Sequence, residues 1–386
     1  MIPYGKQDIN RQDIDAVIDV LKSDYLTQGP VIPEFEKAVA AQVAADYAVA
    51  VNSATSALHI ACLALGVNKE DEVWTSAISF VASANCALYC GASIDFIDID
   101  IRTNNISVSK LTEKLHYYKK NNKPLPKVVI SVHMAGHSCD MASIYNLSQE
   151  YGFKVIEDAS HAIGASYNGQ AVGCCRYSDI TIFSFHPVKI ITTAEGGMAT
   201  TNDAKLLEKM CLLRSHGITR NVKLLTKKNE GPWYYEQQLL GFNYRLTELQ
   251  GALGVSQLCR LHEFIEYRTG VAKYYLSQLN DLPIELPLIS EECQSSWHLF
   301  IVKLQLNKIR KSHRQVFNEL RNLDIGINLH YIPIYYQPYY QSMGFSIGYC
   351  EAAEEYYNRA ISIPIYHGMT IQDQDTVINS LREVLS

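Results

Sequence analysis

The sequence predicts an α/β protein: a large domain on a mostly parallel sheet, followed by a smaller α+β one. Three observations carry this. Short apolar runs alternate with segments of helical period over the first two thirds of the chain. The runs are apolar throughout rather than every second residue, as strands covered on both faces are. The 386 residues exceed what one ordinary core accommodates.

Taken in order, the first helix is amphipathic, with Ile14, Val17, Ile18 and Leu21 at helical spacing. "YAVAV" (47–51) precedes the helical "SALHIACLAL" (56–65), and "DEVWTS" (71–76) precedes "SFVASANCALYCG" (79–91). The strand-like "SIDFIDI" (93–99), "KVVISV" (127–132), "FKVIE" (153–157), "DITIFSF" (179–185) and "GGMATT" (196–201) follow. Residues 219–238 are polar, basic and aromatic around a Gly-Pro, which reads as a long loop over an active site. A long helix from Leu246 to about Leu279 leads into the second domain. That domain mixes the strand-like 298–306, the helical 313–323 and a last helix around 371–385. The expected division is 12–250 for the large domain, and 251–386 with 1–11 for the small one.

Composition narrows the function. Hydrophobic residues make up 47% and charged residues 19%, with a net charge of −6 and no dense Lys/Arg block, so nothing points to nucleic acid. No apolar run approaches the roughly 20 residues of a membrane span, and "MIPYGKQDINRQDID" lacks the apolar core of a secretory signal. Ten cysteines occur without a CxxC. Neither the adjacent Cys174 and Cys175 nor Cys86 and Cys90, a helical turn apart, make a zinc site or a disulfide framework. Reduced thiols of a cytoplasmic protein, with no metal, are the expectation.

Lys189 is the only lysine between Val155 and Ala204, set between an apolar run and the Gly196-Gly197 turn. Three further features share its setting at strand ends. "NSATSAL" (52–58) puts small residues between a strand and a helix, where free N–H groups can cradle a phosphate or a hydroxyl can simply cap the helix. Asp158 closes "FKVIED", where it either needs a charged partner or caps a following helix. Ser184, Thr192 and Thr193 offer hydroxyls to a phosphate or to turns. Phe80 in "SAISFVASAN" can stack on a flat ring or fill a core. An amine, a carboxylate, a phosphate cradle and an aromatic plate together are what pyridoxal phosphate requires.

These stretches, with "EDASHAIGA", "FSFHPVKIITTAEGG", "RSHGI" and "GFNYRLTELQGALGVSQL", resemble the DegT/DnrJ-type sugar-nucleotide aminotransferases, from "SDYLTQGP" (23–30) to "ISIPIYHGMT" (361–370). The resemblance implies an aspartate-aminotransferase-like architecture (fold type I) and pyridoxal 5′-phosphate as cofactor. It implies Lys189 as the covalent lysine and proton shuttle, and Asp158 at the pyridine nitrogen. His161 would sit at the ring hydroxyl, where relatives carry Gln, and Phe80 on the ring face. Ala54, Thr55 and Ser184 would hold the phosphate, and Asn243 would reach the phosphate of the neighbouring subunit in a homodimer.

The nucleotide sugar would meet Tyr4, the stretch Asp24, Tyr25, Leu26 and Thr27, and the segment Leu329, His330, Tyr331 and Ile332. His330 has a structural reading too, and Tyr331, Tyr335 and Tyr336 can instead pack at the dimer interface, the expected role for the last two. "ISFVASANCALYCGASIDFIDID" and "GPWYYEQQLLGFNYRLTE" resemble members acting at C4 of a UDP-linked 4-keto-6-deoxy-N-acetylhexosamine with L-glutamate as donor, released as 2-oxoglutarate. The rival readings are a GDP- or dTDP-linked or 3-keto substrate, a dehydratase, and a non-catalytic binding protein or regulator. Dehydratases of this family carry histidine where Lys189 stands.

Overall fold

The computed structural model describes every residue except 228, 229 and 289. Two helices, α1 (Arg11–Leu21) and α2 (Val31–Val43), lead into β1 (Tyr47–Val51) and α3 (Ala54–Ala64). Then come β2 (Glu72–Ser76), α4 (Ala82–Tyr89), β3 (Ser93–Ile97), α5 (Val108–Lys120), β4 (Val128–Val132), α6 (Met141–Tyr151) and β5 (Lys154–Asp158). Next are β6 (Ile180–Ser184), β7 (Gly197–Thr201) and α7 (Ala204–Arg214). The seven strands form one sheet in the order β1-β7-β6-β5-β4-β2-β3. All neighbours are parallel except β7, which runs antiparallel to both β1 and β6.

Alternation along these buried strands separates two layers. Val49, Val51, Val73, Val128, Ile130, Ile156, Ile180 and Ile182 share one core with α3, α4 and α7. Ala48, Ala50 and Phe183 face a second core with α2, and Trp74, Val129 and Val155 a third with α5 and α6. Burial on both faces is why the strands read as continuous apolar runs.

The long helix expected from Leu246 is two helices. A capping box of Thr247 and Gln250 starts α8 (Glu248–Cys259), and the chain leaves helical geometry at Arg260 (φ −103°, ψ 6°) before α9 (Leu261–Gln278). The expected boundary at 250 falls inside α8, which packs on α1 and α2. Leu261 and Phe264 of α9 still join the first unit's core and Val271 opens the second's, so the change of unit falls within α9. In that unit β8 (Ile284–Glu285), β9 (Phe300–Leu304) and β10 (Ala360–Ile363) form an antiparallel sheet. α10 (His313–Asn322) and α13 (Ile371–Leu385) share its core, while α11 (Pro338–Gln341) and α12 (Glu351–Tyr357) turn Tyr340, Ala353 and Tyr356 into the core of the main sheet. The N-terminus joins it: Ile2 bridges Ile325, and its carbonyl accepts the Gly326 N–H at 2.6 Å.

The first helix is amphipathic as expected, with its apolar stripe turned outward. Its buried side is Asp13 and Val20, while Ile14 and Leu21 are exposed and Val17 and Ile18 half-buried. The cause is polar: Asp13 accepts from Ser256 Oγ at 2.6 Å, Gln257 Nε2 at 2.7 Å and Arg260 at 2.7 Å, all on or beside α8. The apolar stripe of α1 instead faces an open groove with Ile9, Pro187 and Leu253. The 219–238 segment is pinned at its base by a short pair, Ile218–Thr219 with Glu236–Gln237. Inside it the Glu236 carboxylate accepts the N–H groups of Thr226 and Lys227 at 2.8 and 2.9 Å. All ten cysteines are free, and among the described residues no helix is long and apolar enough to cross a membrane.

Candidate active site

The carboxyl ends of the parallel strands converge on a cavity of about 920 Å³. Asp158 and Ser184 are the last residues of β5 and β6, Asn52 follows β1, Ser79 follows β2, and Lys189 lies in the turn after β6; all five line the cavity.

Lys189 is held by a backbone turn in which its N–H donates to the His186 carbonyl at 2.9 Å. Burial lowers its ammonium from 10.5 to about 8, against the opposing pull of the Asp158 charge. A substantial fraction of this lysine is therefore neutral near physiological pH. Asp158 is 5% exposed and caps no helix. Its Oδ2 accepts the Ser83 hydroxyl at 2.6 Å and its Oδ1 the Ser160 N–H at 3.2 Å, which orient a carboxylate toward the cavity.

Opposite lies the start of α3. Ser53 is the N-cap, its hydroxyl accepting from the Ser56 N–H at 3.2 Å, and Ser56 Oγ donates to Asn52 Oδ1 at 2.7 Å. The N–H groups of Ala54 and Thr55, the first two of the helix, point along its axis where no intrahelical acceptor exists. Gly197 makes the cradle compact. It pairs with Val51 on one side and Ser184 on the other, and a Cβ there would lie 2.5 Å from the Ala54 nitrogen and the Ser53 carbonyl. The capping reading of "NSATSAL" holds, since its serine caps the helix, and the same helix end opens on the cavity. Thr192 and Thr193 do not join it. Their hydroxyls donate to the carbonyls of Phe185 at 3.0 Å and Glu195 at 2.8 Å, closing the turn.

Phe80 is 57% exposed and lines the cavity, an unusual position for a core phenylalanine and a fitting one for a stacking plate. His161 is buried, its Nε2 3.1 Å from the Tyr331 hydroxyl and its Nδ1 without a partner among the described residues. Burial, then the nearby Lys189 charge, hold His161 well below the ordinary histidine range, so it is neutral.

Of the expected sugar-binding residues, Tyr4, Leu329, His330 and Tyr331 line the cavity. His330 is also structural, its Nδ1 lying 2.8 Å from Ser362 Oγ. Ile332 is 42% exposed and does not line the cavity. Asp24, Tyr25, Leu26 and Thr27 are exposed and outside it; Tyr25 lies instead at a groove beside α2 and α8. Asn243 is exposed, tied to Ser215 by a backbone bridge, and likewise outside its own chain's cavity. Tyr335 is not an interface residue. It is fully buried, donating to the Glu354 carboxylate at 2.9 Å, and Tyr336 packs half-buried on the same core.

The sequence reading missed Ser83, Gln250, His298 and Asn328, all on the cavity wall. Ser83 had a signal, three residues beyond Phe80 at the opening of a helix; His298 and Gln250 arrive from segments with no local mark. The residues present fit pyridoxal phosphate: a cradle that a single methyl would fill, unpaired helix-end amides, an oriented carboxylate, an exposed ring plate and a lysine of lowered proton affinity.

Comparison with known proteins agrees. Residues 7–382 match the DegT/DnrJ/EryC1/StrS aminotransferase family. The UDP-4-amino-4,6-dideoxy-N-acetyl-beta-L-altrosamine transaminase of Campylobacter jejuni is 37% identical, with 100% of this chain and 98% of that protein covered. The spore coat polysaccharide biosynthesis protein SpsC of Bacillus subtilis is 36% identical over 100% of this chain and 97% of its own length. Among solved structures, Helicobacter pylori PseC, an aminotransferase involved in the biosynthesis of pseudoaminic acid, superposes with a TM-score of 0.89 at 30% identity, covering 100% and 99% of the two chains.

Proposed function

Because this chain belongs to the DegT/DnrJ/EryC1/StrS aminotransferase family, we propose that it aminates C4 of a UDP-linked 4-keto-6-deoxy-N-acetylhexosamine, with L-glutamate as donor. The product is UDP-4-amino-4,6-dideoxy-N-acetyl-β-L-altrosamine, for pseudaminic acid biosynthesis. The enzyme is a pyridoxal-phosphate-dependent sugar aminotransferase; the substrate and donor are our reading. The observation that carries the chemistry is Lys189, lowered to about 8 by burial, on the wall of the cavity that Asp158 and the start of α3 also face. What favours this sugar is the 37% identity, end to end, with the Campylobacter transaminase.

In this reading the Ala54 and Thr55 amides and the Ser184 hydroxyl hold the cofactor phosphate. Asp158 keeps a proton on the ring nitrogen, Phe80 covers the ring face, and neutral His161 donates to the ring hydroxyl. When bound, the cofactor supplies the electron sink and carries the amino group between the two half-reactions. Lys189 Nζ would take the proton from the donor α-carbon, and in the second half would give a proton back at C4 of the sugar. A neutral amine is needed for both attachment and proton uptake, and burial provides it. Ser83 and Ser160 hold the Asp158 charge in place throughout.

Tyr4, Leu329, His330 and Tyr331 meet the nucleotide sugar. Asn243 lies outside its own chain's cavity, which fits a role at a neighbouring subunit's phosphate in a homodimer. The test is incubation of the cofactor-loaded protein and glutamate with UDP-, dTDP- and GDP-linked 4-keto-6-deoxy sugars, with Lys189→Ala alongside. Amination of the UDP-N-acetyl sugar, absent in the variant, is the expected result. Preference for another keto-sugar would discard the substrate and keep the chemistry.

A further inference from the structure

The wall behind His161 is built by the second unit. Ser296 Oγ donates to the His161 carbonyl at 2.7 Å, and the Ser296 N–H to the Gly136 carbonyl at 3.1 Å. The Leu299 N–H reaches the Ala135 carbonyl at 3.3 Å. At Gly136 (φ +93°) a Cβ would lie 2.3 Å from Ser296 Oγ, 2.9 Å from the His161 carbonyl and 3.1 Å from the His298 nitrogen, so three segments meet where no methyl fits. Between them, the His298 ring lies against that of His161 with centroids 4.4 Å apart and planes tilted by 48°.

His298 is 4% exposed, and its Nδ1 finds no hydrogen-bond partner among the described residues. It acts on its neighbour by contact, then, not by a shared proton. Its backbone is held from behind. The fully buried Arg268 on α9 donates from one guanidinium nitrogen to the carbonyls of Trp297, His298 and Ile365 at 3.2, 3.4 and 2.9 Å. No carboxylate pairs with Arg268 among the described residues, so these carbonyls are what hold a buried cation.

We propose that His298 is a positioning residue for the amino transfer: its ring, anchored by Arg268 and Ser296, fixes the His161 imidazole in the orientation it needs to donate to the cofactor's ring hydroxyl. The inference rests on the reading above that His161 faces that hydroxyl. The charged and titratable groups around His298 are His161, Lys189, Arg268 and His330. Burial and these neighbours keep His298 neutral, so it adds no charge of its own to the pair. A hydrogen bond donated to the ring oxygen favours the deprotonated form of the bound chromophore. Loosening His161 therefore raises the pH midpoint of its visible absorbance band.

The test titrates that band in the cofactor-loaded protein for five chains: wild type, His298→Ala, His298→Phe, Ser296→Ala and His161→Asn. His298→Ala and Ser296→Ala are expected to raise the midpoint by about half a unit to one unit. His298→Phe keeps the ring contact and drops the unpaired nitrogen, so it should restore the wild-type midpoint. His161→Asn should raise it at least as far as His298→Ala. A His298→Ala midpoint equal to wild type, with His161→Asn shifted, overturns the positioning role and leaves the cofactor placement standing. An unmoved midpoint in His161→Asn overturns both. A Phe variant that shifts as far as Ala shows that contact is not the cause and also sinks the proposal. If His298→Ala does not fold, Ser296→Ala, which removes one hydrogen bond, decides in the same way.

Discussion

The Ser83 hydroxyl donates to the Asp158 carboxylate at 2.6 Å, joining the first turn of α4 to the end of β5. A hydrogen bond to a charged acceptor contributes about 1.5–3 kcal/mol. In the proposed function it fixes which lone pair of Asp158 would be left for the ring nitrogen. Ser83→Ala is expected to weaken cofactor binding by roughly tenfold and to leave the fold intact. Asp158→Asn removes the charge itself and should cut turnover by about a hundredfold or more. Absorbance titration with pyridoxal phosphate and steady-state rates measure both.

Lys189 links catalysis and stability to pH. Its folded value is about 8 against an ordinary 10.5. Between those values the unfolded chain binds more protons than the folded one, so stability rises with pH across that window. Below about 8 the folded state carries the full cost of burying this amine. Lys189→Met should therefore melt higher than wild type in the cofactor-free protein below pH 8. The advantage should shrink steadily toward pH 10.5, as read by thermal denaturation across that range. A constant difference would mean the lysine is not desolvated. Over the same range, the rate at which wild type takes up cofactor covalently should climb toward a plateau above about pH 8.

Gly197→Ala would place a methyl 2.5 Å from the Ala54 nitrogen and the Ser53 carbonyl. Neither is the tip of a flexible side chain, so β7 and the start of α3 must move apart. Overpacking of this kind costs about 1–3 kcal/mol. The melting temperature should fall and phosphate affinity should fall with it, since the helix-end amides shift. An alanine variant with unchanged cofactor affinity would move the phosphate site elsewhere.

Asn243 provides a test of shared sites. If it serves the neighbouring subunit, Lys189→Ala and Asn243→Ala proteins, each impaired alone, should regain activity when unfolded together and refolded as a mixture. A mixed dimer then contains one cavity with both residues intact. No regain would place Asn243 outside catalysis or in its own chain's site. Charging the outward stripe of α1, as in Ile14→Glu, should shift sedimentation toward monomer if that apolar groove is covered by a second copy.

The residues that gather at the strand ends were legible because each is anomalous where it stands. Lys189 is isolated, Asp158 closes an apolar run, and Ser53–Thr55 put small residues between strand and helix. The layer order was legible from runs buried on both faces. What escaped was set by tertiary contact. The break at Arg260 has no proline or glycine, and that residue serves Asp13 across the fold. Helix α1 is amphipathic as its spacing predicted, but it turns its acid inward because three donors on or beside α8 wait for it. His298 lies in an ordinary strand-entry sequence, and only the fold brings it to His161. Asp24–Thr27 resembled a binding segment but sits on the surface of its own chain.

The bridge between Ile2 and Ile325 has a consequence for how the chain comes to be folded. All seven strands of the main sheet lie between Tyr47 and Thr201, so on a ribosome that sheet can close once the next stretch has emerged. The opening segment cannot settle with it. Its backbone partners lie in the second unit, and Asp8 awaits Arg260 and His367. Residues 2–8 thus find their place only after Arg260, Ile325 and His367 have been made, long after the strands that follow them have closed.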